Sequence, residues 1–310
     1  MSLPRSHRPI HTENGQAPSQ KAHKADNIEQ STFVVAMFTR TPSYLEVLGV
    51  KINHILIAVK AERCLPTIAS WCIMGQSAKE ARPKMFLVSE AWKTAYPGAT
   101  VGIMVMRNVS NPPHHVELDK LKDELESQLR TRFADCDKAE LKALEPIKAY
   151  GTYFRRYGKT YPVQLQLESV LFKGKSIPGV AALVEAMFMA ELKNLLLTAG
   201  HDLEALQPPV TLSVAVGGER YTGLNGQEYV LKPGDMMMSD TGGIISGVLC
   251  GPDYRTRITP ATRHVFLAVY APPGIGEQAV YKHLRDIQAN VLVVAPEAEV
   301  ELLKVYGTTQ

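Results

Sequence analysis

The chain has 310 residues, 45% of them hydrophobic and 21% charged, so it can bury a sizeable core and is not a disordered protein. Its 34 Lys+Arg against 31 Asp+Glu give a formal net charge of +3, but residues 1 to 84 hold 11 basic and 6 acidic residues, which leaves 23 basic against 25 acidic for 85 to 310. The later part is therefore slightly acidic, at −2, and any nucleic-acid surface on it has to be a local patch.

Four cysteines, Cys64, Cys72, Cys136 and Cys250, are too widely spaced for a disulfide framework or a paired CxxC metal site, and a reducing cytoplasm is the expected compartment. The longest uncharged apolar run, INHILIAV (52 to 59), falls far short of the roughly 18 residues a bilayer needs, so no membrane partner is expected. The start lacks the apolar core and cleavage site of a secretory signal.

Residues 1 to 30 carry Pro4, Pro9, Pro18, three histidines and hardly an aliphatic side chain, a composition that predicts disorder. From 31 to 84 the chain is apolar without a sustained period and then linker-like. This stretch reads as a loosely attached extension or as the product of a misassigned start, with Met85 the natural one. MFLVSEAWKTAYPGATVGIMVM (85 to 106) predicts strand, helix, turn and strand, with Ser89 as helix N-cap. In VELDKLKDELESQLRTRF, Val116, Leu118, Leu121, Leu125, Leu129 and Phe133 form one stripe, the pattern of an amphipathic helix. A second helix is expected around 146 to 157. The segment VQLQLESVLF (163 to 172) fits strand or helix equally. AALVEAMFMAELKNLLL (181 to 197) is apolar almost all round, which predicts a buried helix ended by Ala199-Gly200.

From 209 to 271 short β-branched or apolar runs alternate with turn signals, Asn225-Gly226 being the strongest hairpin signal. A helix at about 275 to 289 and the run VLVVAP close the expected domain at 297, with 298 to 310 as a C-terminal tail. The class is α+β, helices packed on a mixed or antiparallel sheet.

Three constellations carry possible chemistry. Between 148 and 175, Lys148, Arg155, Arg156, Lys159, Lys173 and Lys175 stand against one acid, Glu168, and Tyr150, Tyr153, Tyr157 and Tyr161 share one helical face. Cations beside rings suit RNA; the same pattern also fits a tyrosine stripe turned to the core with a solvated basic back. Within the apolar helix, Glu185 and Glu191 are costly unless paired or aimed into a polar pocket, and Asn194 and TAGHD (198 to 202) adjoin them. Glu185 could equally pair with a neighbouring cation, and His201-Asp202 could cap a helix starting at Leu203. In GPDYRTRIT (251 to 259), Arg255 and Arg257 lie two apart on an extended segment after Asp253, suited to anion capture or to fixing the loop. No GK[ST] phosphate loop, HExxH, GxSxG or metal-spaced His/Cys cluster occurs, so no cofactor and no metal are expected.

The stretch from about 88 to 295 resembles the tRNA-binding domain of the bacterial phenylalanyl-tRNA synthetase β subunit in free-standing form. The resemblance rests on IPGVAALVEAMFMAELKNLLLTAGHDLEAL (177 to 206), on GLNGQEYVLKPGDMMMSD (223 to 240), and on IISGVLCGPDYRTRITPATRHVFLAVYAP (244 to 272), in that order. It implies an α+β fold that hydrolyses tyrosine wrongly attached to the phenylalanine tRNA, using a polar pair in the helix, a histidine before an aromatic-Asp, and an acid after a Gly-rich strand. In this chain the pair falls on Met187 and Phe188 and the histidine on Ala199, while Asp253 meets the acid. Glu185 and Asp202 fall on acidic positions, and His201 takes the aromatic place.

By that resemblance tRNA or aminoacyl-tRNA is the expected partner. His201, Glu185 and Asp253 are the expected catalytic group, provided they converge, for ester hydrolysis in trans on a misacylated tRNA. Asn194, Asp202, Arg255, Arg257, Met187, Phe188 and Ala199 are the expected substrate contacts. The alternative is a non-catalytic binder of RNA or of an amino acid, because the polar pair and histidine are replaced by apolar residues. No ATP-binding or class II core fits, so the chain is not a complete synthetase.

Overall fold

The computed structural model describes residues 85–308. The expectations for 1 to 30 and 31 to 84, and for Met85 as the start, lie outside the described residues.

The chain opens with β1 (Phe86–Val88) and the short helix α1 (Glu90–Ala95), whose N-cap is Ser89: its hydroxyl accepts from the Trp92 amide at 3.2 Å. The eight-residue strand β2 (Thr100–Arg107) is buried along nearly its whole length and becomes the centre of a sheet. Four helices follow, α2 (Val116–Arg132), α3 (Lys138–Ala143), α4 (Glu145–Arg155) and α5 (Pro162–Lys173), and then the buried helix α6 (Ala182–Asn194). Seven strands come next: β3 (Thr198–Asp202), β4 (Val210–Val214), β5 (Arg220–Thr222), β6 (Glu228–Val230), β7 (Met236–Asp240), β8 (Gly243–Gly247) and β9 (Gly251–Pro252). The described chain closes with β10 (Val265–Ala271), α7 (Glu277–Val294) and β11 (Glu299–Gly307).

These strands build an antiparallel sheet in the order β11-β2-β10-β3 and a mixed sheet in the order β1-β4-β7-β8-β9, where β1 runs parallel to β4. A separate hairpin, β5-β6, is turned by Asn225-Gly226, with Gly226 at φ +76°. The fold of the described residues is α+β, seven helices on mixed and antiparallel sheets. Helix α7 covers the antiparallel sheet and packs against α6; one buried cluster, from Trp92 through Phe188 to Val291, runs through both layers.

Several expectations are corrected. Val116 is exposed and only the later residues of its stripe turn inward, because it stands at the first position of α2. The ambiguous segment 163 to 172 is helix: Pro162 starts it at a position needing no amide donor, and Gly174 stops it at φ +61°. Helix α6 ends earlier than expected, at Leu195 with φ +61°, and Ala199-Gly200 belong to β3. VLVVAP supplies the last turn of α7, and the stretch beyond 297 is β11, paired with β2 at the sheet's edge.

Candidate ligand cleft

Helix α6 positions the site because of what interrupts its apolar sequence. At about 100° per residue, the six-residue step from Glu185 to Glu191 turns the two acids roughly 120° apart. Glu185 points at α2: Oε2 lies 2.8 Å from Lys122 Nζ, and Oε1 accepts from the Val180 amide at 2.7 Å. Lys122 also holds Asp119 at 2.8 Å. Glu185 is thus a structural ion pair, clamping α2 onto α6. Glu191 points the other way. Where the chain reverses through Leu195, the Thr198 amide donates to Glu191 Oε1 at 2.7 Å. Burial pushes the Glu191 carboxyl up to about 8.

Tyrosines fix this reversal. The Tyr150 hydroxyl accepts from the Leu197 amide at 3.0 Å and donates to the Tyr270 carbonyl at 2.5 Å, while Tyr161 donates to the Leu195 carbonyl at 3.1 Å. The Tyr150 and Tyr161 rings stack at 4.3 Å. Tyr150, Tyr153 and Tyr161 are therefore buried, and the expectation of rings presented to bases is corrected: the stripe faces the core. Of the six basic residues beside it, Lys148, Arg155, Arg156, Lys173 and Lys175 are exposed. Lys159 is turned inward, its amine donating to the Leu249 carbonyl at 2.9 Å.

Between α6, the start of α5, the end of β8 and the loop 252 to 260 lies a cleft of about 590 Å³. Val184, Met187, Phe188, Leu197, Val248 and Ile258 make it mainly apolar, and Glu191 and Arg257 are the charged residues on its wall. Arg257 lies over the Tyr254 ring at 3.6 Å and donates to the Tyr254 carbonyl at 2.6 Å. Volume and character are those of a small-molecule site.

Met187, Phe188, Ala199 and Arg257 line this cleft; His201, Glu185, Asp253, Asn194, Asp202 and Arg255 do not. The expected catalytic trio does not converge on it. His201 and Asp253 are joined instead through Thr256, whose hydroxyl donates to Asp253 Oδ1 and accepts from His201 Nδ1 at 2.7 Å. That network is buried, and desolvation pulls His201 down to about 3 and raises Asp253. Arg255 fixes the loop, donating to Asp240 at 2.7 Å and to the Ala205 carbonyl at 2.9 Å. The chain turns at 254 to 256, which separates Arg255 from Arg257 rather than placing them on one side. Asp202 caps the 3-10 turn Leu203–Ala205 and accepts from Thr262 at 2.6 Å. Asn194 donates to Asp286 at 2.9 Å, on the far side of α6's last turn.

Thr256 and Tyr270 had no signal in the sequence, since their importance is a matter of register across the sheets. Glu191 had one, as an acid in an apolar helix. Among the described residues no group of His, Cys, Asp and Glu is placed to hold a metal ion. No helix among them is long and apolar enough to cross a membrane.

The family model of the B3/4 domain matches residues 147–307, which contain α6, all of the cleft lining except Asn111 and Pro113, and both sheets' later strands. The chain belongs to the B3/4 domain family. This domain is found in the phenylalanyl-tRNA synthetase β subunit, and the resemblance seen in the sequence is to that subunit. Among solved structures, the chain is similar to an N-terminal fragment of the phenylalanyl-tRNA synthetase β subunit from Pyrococcus horikoshii, with 14% identity and a TM-score of 0.37 over 72% of this chain. The match spans 55% of that fragment's length. No curated protein matches the chain. Within this B3/4 domain Met187, Phe188 and Ala199 make their part of the cleft wall apolar.

Proposed function

We propose that this B3/4 domain binds the aminoacyl end of a tRNA in the cleft and holds it without hydrolysing it. The observation that carries this reading is the separation of parts: the cleft is apolar with one carboxyl, whereas Glu185, His201 and Asp253 are spent on buried contacts elsewhere. Hydrolysis of an ester needs a positioned water and donors for the developing oxyanion. A base with its ring buried and one nitrogen committed to Thr256 does not supply the first. Binding needs only a shaped apolar wall and a few polar groups, which the cleft has.

RNA contact falls to the exposed cations, Arg155 and Arg156 at the end of α4 foremost. Equilibrium binding of aminoacylated and uncharged tRNA tests both parts together. Charged tRNA is expected to bind more tightly than uncharged. Arg155→Ala with Arg156→Ala is expected to weaken both and lower the slope of log K against log salt by about 1 to 2. Equal affinity for charged and uncharged tRNA would remove the cleft from RNA recognition, and an unaltered slope would move the RNA surface elsewhere.

A further inference from the structure

We infer that Glu191 makes the cleft selective for a ligand that carries a cationic ammonium group on an apolar body, the chemistry of an α-aminoacyl group. The inference rests on the reading of the cleft as an aminoacyl site and adds the group that recognises the amine.

Among the described residues every buried acid but Glu191 has a cation or at least two hydrogen-bond donors on its carboxyl. Glu185 has Lys122, Glu126 has Arg130 at 3.0 Å and the Ile177 amide at 2.6 Å, and Asp240 and Asp253 share Arg255. Asp235 receives the Tyr153 hydroxyl at 2.5 Å and the Leu249 amide at 3.3 Å. Among the described residues the Glu191 carboxyl accepts only the Thr198 amide, and no Lys, Arg or His stands within ion-pairing distance of it. It is also the only one of these acids that lines the cleft.

Accepting the Thr198 amide asks only for a neutral carbonyl oxygen, and glutamine would serve. An ionisable carboxyl at this place is thus unexplained by the fold, although the apolar wall makes it costly to charge. The titratable groups around it do not supply the missing cation. Tyr150 of α4 and Tyr161 before α5 are held well above the ordinary tyrosine range by burial. His283 of α7, 2.7 Å from the Thr198 hydroxyl, is pulled down to about 3 by desolvation and is neutral. Arg257, on the same cleft, is committed to Tyr254. An ammonium arriving with an apolar side chain provides the partner. The side chain takes the wall of Val184, Met187, Phe188 and Ile258, and the amine takes Glu191, whose proton leaves to solvent.

The test uses two matched pairs of small probes titrated into the protein by calorimetry at pH 7: L-phenylalaninamide against 3-phenylpropanamide, and L-leucinamide against 4-methylpentanamide. Each pair differs in the ammonium alone. Wild type is expected to prefer the amine of at least one pair by about tenfold to a hundredfold, the span of a charge-assisted hydrogen bond. Glu191→Gln is expected to erase that preference while keeping the affinity for the des-amino probe. Equal binding of amine and des-amino probes by wild type, a preference that survives in Glu191→Gln, or binding of neither member of both pairs would overturn the inference. Should Glu191→Gln fail to fold, the wild-type ratio decides by itself. These probes contain no RNA, so an amine preference with no discrimination between charged and uncharged tRNA would leave the Glu191 inference standing and remove the tRNA reading.

Discussion

Replacing Lys122 by methionine is expected to cost the domain about 3 to 5 kcal/mol, because it leaves the buried Glu185 carboxyl without its cation. The side chains of Lys122 and Glu185 are only 10% and 5% exposed, so solvent cannot take over the role of either partner. Lys122→Met combined with Glu185→Gln is expected to recover most of the loss, since the Val180 amide keeps its acceptor and no charge is stranded. Urea unfolding of the single and double variants measures this. A cost below about 1 kcal/mol for Lys122→Met would mean that the pair does not hold α2 on α6, and Glu185 would be free for another role.

Acid is expected to destabilise the domain through two histidines. Burial lowers His201 and His283 to about 3 in the folded state, against an ordinary 6.5. Between those values the unfolded chain binds a proton at each site and the folded chain does not, so stability is complete above 6.5 and is lost as pH falls toward 3. Each site contributes a slope of up to about 1.4 kcal/mol per pH unit. Wild type is therefore expected to lose stability relative to His201→Gln or His283→Gln as pH drops through this window, each variant removing one slope. Glu191 runs the opposite way. Raised from 4.5 to about 8, it stabilises fully below 4.5 and loses that contribution as pH rises to 8, so wild type falls behind Glu191→Gln over that range. Denaturant midpoints from pH 4 to 9 test all three; a flat difference for a variant means its residue titrates normally in the folded protein.

Local chemistry made much of this fold readable in advance. Ser89 before an apolar helix start, the Asn225-Gly226 turn and the spaced leucines of α2 each act within a few residues, and each appears in the structure. The misses lie where distant residues decide. Leu195 adopts a left-handed conformation that a leucine alone disfavours, and it is held there by the Tyr161 hydroxyl from 34 residues away in sequence. The sequence of β11 reads as a tail because an edge strand has no meaning until β2 is beside it.

The site was legible only in part. Two acids in an apolar helix were a clear signal, but helix phase alone does not say which side meets Lys122 and which meets a cleft. His201 and Asp253 do come together, through Thr256, yet that residue gave no sign in the sequence and their meeting place is not the cleft. The resemblance likewise placed Met187, Phe188 and Ala199 in one pocket. Only the geometry showed Glu191 standing among them.

The rate at which amino acid leaves aminoacyl-tRNA in the presence of excess protein, followed across a panel of correctly and wrongly charged tRNAs, is the deciding measurement. A binding cleft without a hydrolytic group predicts release at the spontaneous rate or slower for every member, the bound ester being shielded from water. Faster release from any member, lost again in His201→Gln or Asp253→Asn, would contradict it and return the buried His201–Thr256–Asp253 network to the chemistry.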